Sequence, residues 1–231
     1  MYTPTGMQDM PTPRALTLEE IKQVIEDFRK AARNAIEAGM DGVEIHGANG
    51  YLVNQFLAPN ANIRTDAYGG SIANRARFAI EVARAIADEI GPERTAIRLS
   101  PGLEIGGLSD GPESEDLYRY LVTELNTLKL AYLHIFHFGN DKLLAELRAR
   151  WSQKLLVLRA GRSLEALGAD IESGLADIVP VGQWGLANPD FVERLKQGAT
   201  LNQPDPATFY SGGATGYIDY PTLQSSQSAV A

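Results

Sequence analysis

Cysteine is absent from the 231-residue chain, which excludes disulfides, cysteine-ligated zinc and thiol nucleophiles. Only three histidines are present, so we expect no metal site. The chain has 21 basic and 29 acidic side chains and a net charge of −8. This acidic balance argues against nucleic acid as a partner, because a phosphate backbone is bound by clustered lysine and arginine. No apolar run approaches the roughly 20 residues that a membrane span needs. We therefore expect a cytoplasmic protein without a membrane segment.

An amphipathic helix is predicted before the first strand. Thr17 and Glu20 have the spacing of a capping box, in which each side chain accepts a hydrogen bond from the other residue's backbone. Apolar residues then follow at intervals of three and four from Ile21 to Ala35, which is typical of a helix with one buried face. Gly39 is a suitable stop at its C-terminal end.

Short apolar runs alternate with amphipathic stretches along the rest of the chain. The predicted strands cover 42–46, 95–99, 131–136, 155–159 and 177–182. The predicted helices cover 71–90, 114–128, 141–149, 163–173 and 189–196. The strands are apolar almost throughout, as expected when helices cover both faces of a parallel sheet. The alternation predicts an α/β fold built from right-handed βα units.

Five βα units after one helix are too few for a closed barrel, which typically needs eight strands and about 250 residues. We therefore predict an incomplete (β/α)8 TIM barrel over 17–223, between an irregular lead-in at 1–16 and a disordered tail at 224–231. The long connections 47–70 and 101–113 follow strand ends. In parallel α/β folds those ends form the functional face.

Three polar side chains follow the first predicted strand within six residues: His46, Asn49 and Tyr51. Glycines between them permit a sharp turn that would bring the three tips together. Imidazole and amide N–H groups can form a clamp for an oxygen that gains negative charge, and a tyrosine can donate a proton to a strongly basic carbanion. A strand-end histidine with a buried tyrosine in a turn is the alternative that this pattern leaves open.

Two further segments continue this pattern. They read Asn54-Gln55-Phe56-Leu57 and Asn62-Ile63-Arg64-Thr65-Asp66-Ala67-Tyr68-Gly69-Gly70-Ser71-Ile72-Ala73-Asn74-Arg75. Together with the His46 turn, they resemble the Old Yellow Enzyme family of FMN-dependent NAD(P)H ene-reductases, also described as NADH:flavin oxidoreductases. Shorter matches are Ile97-Arg98-Leu99-Ser100-Pro101, Arg159-Ala160-Gly161 and Ala187-Asn188-Pro189-Asp190. The likeness extends over nearly the whole chain, from about residue 16 to 223.

The resemblance implies roles for individual residues. His46 and Asn49 would bind the activating oxygen of an α,β-unsaturated carbonyl or nitro compound, and Tyr51 would protonate its α-carbon. FMN would deliver hydride after reduction by NADPH or NADH. Arg98 would lie beside the flavin, where its permanent positive charge stabilises the anionic reduced form. Gly161 would bring backbone N–H groups to the FMN phosphate.

One departure from the family concerns the phosphate. The family has an arginine where this chain has Gln183, which can donate a hydrogen bond but supplies no charge. Gln183 is therefore a weakened ligand or no ligand. Arg162, directly after Gly161, would compensate for the lost charge.

A second departure is at the start of the chain, where we expect the family's N-terminal third, with its first three strands, to be missing. Activity on a small-molecule substrate would then depend on that portion. The alternative is an inactive remnant, or a subunit of a split enzyme that needs a complementary N-terminal fragment. A homo-oligomer is the other partner that we consider.

Two histidines share one predicted strand, His134 and His137. Residues three apart on a strand point to opposite faces, so joint metal ligation is not expected. Packing in the core or at the surface is favoured for both, and a position near the substrate is the alternative for one of them.

Overall fold

The computed structural model describes residues 2–3, 6–7, 12–159, 163–166, 168–210 and 213–223. The predicted phosphate ligands Gly161 and Arg162 lie outside these ranges, as does the predicted tail 224–231. The chain forms two compact units, Met1–Val179 and Pro180–Ala231.

A four-stranded parallel sheet organises the first unit. Its strands, in both chain and sheet order, are β3 (Val43–His46), β4 (Thr95–Leu99), β5 (Tyr132–His137) and β6 (Lys154–Arg159). Near the start of the chain, β1 (Tyr2–Thr3) and β2 (Gly6–Met7) form a separate antiparallel pair. The sheet confirms the prediction of an α/β fold and four of the five predicted strands.

The fifth predicted strand, 177–182, is wrong. Ile178 makes one isolated parallel bridge with Leu156. The predicted range continues through Pro180, which has no backbone N–H and cannot extend a ladder. Gly182 already belongs to a helix.

Helices connect and cover the strands of the first unit. They are α1 (Leu18–Glu37), α2 (Leu52–Leu57), α3 (Ile72–Ile90), α4 (Ser114–Asn126), α5 (Asp141–Arg150) and α6 (Ala169–Glu172), with 3-10 turns at Pro92–Arg94 and Leu164–Ala166. Helix α2 lies inside the long connection 47–70, where the sequence predicted no helix. Among the described residues of the predicted helix 163–173, only the 3-10 turn and the four-residue α6 are helical, so the predicted helix is wrong in extent.

The start of α1 has the predicted capping box. The Thr17 hydroxyl accepts a hydrogen bond from the Glu20 backbone N–H at 3.2 Å, and the Thr17 N–H donates to the Glu20 carboxylate at 2.8 Å. Gly39 has a φ of +92° after the last turn. Because left-handed backbone suits glycine, this residue ends the helix as predicted.

The two faces of the sheet differ in chemistry. One face carries the row Ile45, Ile97, Leu133 and Leu155, all at most 3% exposed and part of the core beneath the helices. The other face carries Glu44, His46, Arg98, Tyr132 and His134 at alternate strand positions. Apolar and polar side chains alternate along these strands, so the expectation of strands that are apolar almost throughout was wrong.

The second unit contains α7 (Gly182–Ala187), α8 (Phe191–Gln197) and a 3-10 turn at Pro206–Thr208. Buried Arg194 organises it by donating to the Asp190 carboxylate and to the carbonyls of Thr200 and Pro221. Asp190 belongs to the Ala-Asn-Pro-Asp segment, so that segment stabilises the unit. Gln183 lies exposed on α7.

Within the described ranges, no helix is long and apolar enough to cross a bilayer. In the same part of the chain, no group of three or more histidine, aspartate or glutamate side chains is arranged to hold a metal ion.

Candidate active site

His46 and Arg98 are register partners at the C-terminal ends of β3 and β4. In a parallel sheet, partners in register point to the same face, so the imidazole and the guanidinium lie side by side. Burial, first, and the positive charge of Arg98, second, lower the pKa of His46. The imidazole is therefore neutral near pH 7 and offers one N–H donor.

The chain leaves β3 through a close contact with β4. The Gly47 N–H donates to the Arg98 carbonyl at 2.9 Å. A Cβ at position 47 would lie 2.8 Å from that oxygen, closer than side-chain carbons approach backbone. Glycine at this position lets the turn start directly beside Arg98.

Two side chains outside the predicted triad hold the turn. The Asn49 N–H donates to the Ser100 hydroxyl at 3.0 Å, and the Gly50 N–H donates to the Asn54 side-chain oxygen at 2.9 Å. Asn49 has a φ of +58° and Gly50 a φ of +81°. The left-handed region is uncommon for residues other than glycine and is best tolerated by asparagine. Sequence reasoning did not single out Ser100 or Asn54 for this role, although both lie in the segments that carry the family resemblance.

Tyr51 follows the turn and caps α2 with its backbone. Its ring centroid lies 4.7 Å from that of His46, with an angle of 43° between the planes. The tyrosine is 60% exposed, so its phenol is accessible to a ligand. The structure thus brings His46 and Tyr51 into contact and places Asn49 on the turn between them. The alternative of a buried tyrosine does not describe this residue.

Arg98 contacts an aromatic ring and also has a hydrogen-bond donor without a partner. Its guanidinium carbon lies 5.1 Å from the centroid of the Phe136 ring, a cation–π distance. Its Nε is buried and has no hydrogen-bond partner among the residues that the structure describes. The same holds for the side-chain oxygen of Asn49. Buried polar groups are normally paired, so these atoms fit a site completed by a polar ligand such as FMN.

A second polar pair lies on the same face, formed by Glu44, two residues before His46, and His134, the register partner of Arg98. His134 Nδ1 is 3.0 Å from a carboxylate oxygen of Glu44. Burial acts to raise the pKa of Glu44, but the hydrogen bond from His134 and the positive charges nearby outweigh it, so the pKa of Glu44 is lowered. Burial, followed by the nearby charge of Glu44, raises the pKa of Tyr132 to about 12. Sequence reasoning did not assign Glu44 or Tyr132 to this site; the alternation of side chains with a period of two within β3 and β5 was the signal that could have placed them there.

His137 points away from this face, as the spacing from His134 predicted. Its Nδ1 lies 3.1 Å from Arg159 Nη1, next to the start of α5. Burial, followed by the charge of Arg159, lowers the pKa of His137. The expectation of simple packing holds for His137, whereas His134 belongs to the polar face.

The long segment from Asn62 to Arg75 is structural. The Asn62 amide donates to the carbonyls of Phe56 and Tyr68, each at 2.7 Å. Arg75 is 3% exposed and donates to the carbonyls of Leu57 and Gly70 and to the Glu113 carboxylate. These bonds fix the connection that carries Asn49 and Tyr51.

A cavity of about 480 Å³ lies beside the connection after β4. Polar and charged side chains from α4 and from the residue before α5 line it, among them Glu115, Arg119 and Asn140, together with Phe138. None of His46, Asn49 and Tyr51 lines this cavity. The side chains singled out for catalysis therefore lie outside this cavity, at the polar face of the sheet.

The comparison with known proteins is consistent across sequence and structure. The model of the NADH:flavin oxidoreductase / NADH oxidase family matches residues 1–202. A Leishmania infantum protein described as a probable flavin mononucleotide-dependent alkene reductase is 46% identical over 220 residues, covering 94% of this chain and 60% of the relative. 12-Oxophytodienoate reductase 2 of Arabidopsis thaliana is 44% identical over 225 residues, covering 92% and 59%.

Solved structures show the same likeness. Morphinone reductase in complex with tetrahydroNAD superposes with a TM-score of 0.88 at 44% identity, over 96% of this chain and 62% of that one. The Old Yellow Enzyme homologue from Zymomonas mobilis gives a TM-score of 0.89 at 36% identity, over 96% and 64%. The chain spans about three fifths of the length of the curated relatives named above.

Proposed function

Because the chain belongs to the NADH:flavin oxidoreductase / NADH oxidase family, which is FMN-dependent, we propose that its polar sheet face is the flavin and substrate site of an alkene reductase. The substrates would be alkenes conjugated to a carbonyl or nitro group, with NADPH or NADH as the hydride source. The observation that carries this proposal is the pairing of neutral His46 with Arg98 in register, beside an accessible Tyr51.

Arg98 is the residue best suited to hold the flavin. Its guanidinium is always charged, and its buried Nε–H needs an acceptor. When bound, FMN would supply to the alkene a hydride taken from NAD(P)H. Gly161 and Arg162 remain proposed phosphate ligands. Exposed Gln183 is proposed as a weak, uncharged one.

The substrate is oriented by the turn after β3. The neutral His46 ring and the Asn49 amide would donate hydrogen bonds to the activating oxygen of the substrate, which gains negative charge as hydride adds to the β-carbon. Tyr51 then gives its phenolic proton to the α-carbon, and solvent can restore that proton because the tyrosine is exposed.

Flavin uptake tests this assignment. Added FMN should give the purified chain flavin absorbance that stays with the protein during gel filtration. Cyclohexenone should accelerate the oxidation of NADPH by the FMN-loaded chain. Arg98→Met should weaken FMN binding at least tenfold, whereas Arg94→Met, in the turn just before the same strand, should not change it. Equal binding by both variants would remove Arg98 from the flavin site.

The sheet itself favours a second candidate function. In the described part of the chain, β3 pairs only with β4, and β6 has only the single bridge at Ile178 beyond its pairing with β5. An incomplete (β/α)8 TIM barrel would present these open edges. The chain would then be an inactive remnant, or a subunit that works with a complementary N-terminal fragment.

A further inference from the structure

Glu44 and His134 meet across an intervening strand. Glu44 lies on β3 and His134 on β5, with β4 between them. Neighbouring strands are about 4.8 Å apart, so the two backbones are separated by roughly twice that distance. Ala96, the register partner of both Glu44 and Tyr132, occupies the gap. Its methyl group leaves room for the Glu44 carboxylate to reach His134.

The carboxylate determines which nitrogen of His134 carries the proton. An ionised carboxylate can only accept hydrogen bonds, so the Nδ1 atom 3.0 Å away must be the donor. In the neutral ring, Nε2 then has a free lone pair and is an acceptor. That Nε2 is buried and has no partner among the described residues. His134 as a whole is 7% exposed.

An unused donor lies beside this acceptor. Arg98 is the register partner of His134, and its Nε–H is likewise buried and unpartnered within the described ranges. One donor and one acceptor, adjacent on one face, match a group that accepts one hydrogen bond and donates another. A hydroxyl group or a water molecule has this chemistry.

We propose that Glu44 is a positioning residue that holds His134 in the Nδ1–H tautomer, so that His134 and Arg98 together bind one O–H group on the polar face. The O–H group belongs either to the ribityl chain of the flavin or to a bound water. The second part of this inference rests on the proposed function, whereas the tautomer does not.

Nitrogen NMR on the 15N-labelled chain tests the tautomer without any ligand. Three histidines give three imidazole spin systems, and His134→Gln identifies the one that belongs to His134. At a pH where the ring is neutral, we expect its Nδ1–H form to predominate. Glu44→Gln should lower the Nδ1–H to Nε2–H ratio about tenfold or more, because the charge-assisted bond is lost.

Two variants serve as controls for this measurement. Glu93→Gln changes an exposed glutamate and should leave the tautomer ratio unaltered. Tyr132→Phe removes a phenol near Glu44 while keeping the carboxylate, and should also preserve the ratio. A predominant Nε2–H form in the unmodified chain would overturn the proposal, even if Glu44→Gln does not fold. An unchanged ratio in folded Glu44→Gln would also overturn it.

Flavin analogues distinguish the two sources of the O–H group. Riboflavin has the ribityl chain, and lumiflavin lacks it. If His134→Phe weakens riboflavin binding about fivefold or more but leaves lumiflavin binding unchanged, the group is a ribityl hydroxyl. Equal weakening indicates a water, and no weakening of either rejects the O–H site. A chain that binds neither analogue contradicts the proposed function, and the tautomer ratio alone then decides the role of Glu44.

Discussion

At the scale of single residues, the site depends on a permanent charge placed next to a titratable ring. Arg98 and His46 share one register position, so each protonation of His46 puts two positive charges on neighbouring strands. That arrangement disfavours the imidazolium and keeps His46 neutral, which suits a hydrogen-bond donor for a substrate oxygen. The same charge would attract an anionic group to the face.

The titration of His46 tests this electrostatic coupling. Its pKa should lie below the ordinary value of 6.5, and Arg98→Gln should raise it, because the nearby positive charge is removed. The pKa should not return fully to 6.5, since burial is the larger cause. NMR titration of the imidazole measures both values. Arg94→Gln is the control, and an equal pKa in all three proteins would contradict the coupling.

The phenol of Tyr51 has a separable role. Tyr51→Phe keeps the ring beside His46 and removes only the proton donor. Alkene reduction should slow by about 10²–10⁴-fold, while reduction of the bound flavin by NADPH should be unchanged. Stopped-flow measurement of the two half-reactions decides this, with Tyr120→Phe on α4 as the control. A parallel loss in both half-reactions would rule out proton donation by Tyr51.

At the scale of elements, local sequence signals set where helices begin. The capping box of α1 satisfies backbone N–H groups that have no partner inside the helix. The pKa of Glu20 falls to about 2, chiefly because Arg14 and the Thr17 backbone bond its carboxylate. The box is therefore intact at neutral pH and is lost only as the pH falls from about 4.5 toward 2.

Removing this cap should destabilise the first unit. Thr17→Ala should lower the free energy of unfolding by about 0.5–2 kcal/mol at pH 7. Urea denaturation monitored by circular dichroism measures the loss. Thr123→Ala, within α4, is the matched control and should show no comparable loss. Equal effects of the two substitutions would mean that the hydroxyl of Thr17 does not cap α1.

The connection after β3 is held by a buried arginine. Arg75→Met should destabilise the fold by about 3 kcal/mol, because the Leu57 and Gly70 carbonyls would lose their donor inside the protein. Arg84→Met, an exposed arginine on the same helix α3, should change stability by less than about 0.5 kcal/mol. Urea unfolding of both variants gives the comparison. A small effect at position 75 would show that other bonds hold this connection.

At the scale of the whole molecule, the site is on an open sheet. The polar face carries the side chains that the proposed reaction needs, but β3 has a free edge in the described part of the chain. A free edge presents unpaired backbone groups that can add a further strand. This geometry links the two candidate functions, since a complementary fragment would both cover the edge and enclose the flavin.

Complementation tests that link. The chain should bind FMN more tightly, by about tenfold or more, when it is co-expressed with the part of the Leishmania infantum relative that it does not span. Co-purification and flavin fluorescence measure association and affinity. Full reductase activity of the chain alone would reject the proposal that it needs a complementary N-terminal fragment.

Part of the architecture is readable from local pattern. The capping box of α1, the stop at Gly39 and four of the strands follow from spacing and short-range chemistry, and the structure shows all of them. The prediction of a strand at 177–182 failed because apolar composition does not reveal where a ladder ends. Helix α2 was missed because its six residues are too few to show a helical period.

The sequence by itself determined the family, the order of α1 and the four sheet strands, and the closeness of His46, Asn49 and Tyr51 along the chain, because these depend on residues close together in the chain. Only the tertiary structure decided that Arg98 lies in register with His46 and that Glu44 reaches His134 over Ala96. Those pairings join residues about 50 to 90 positions apart. Register between distant strands depends on which strands and faces pack together in the folded sheet, so the tertiary structure decides it.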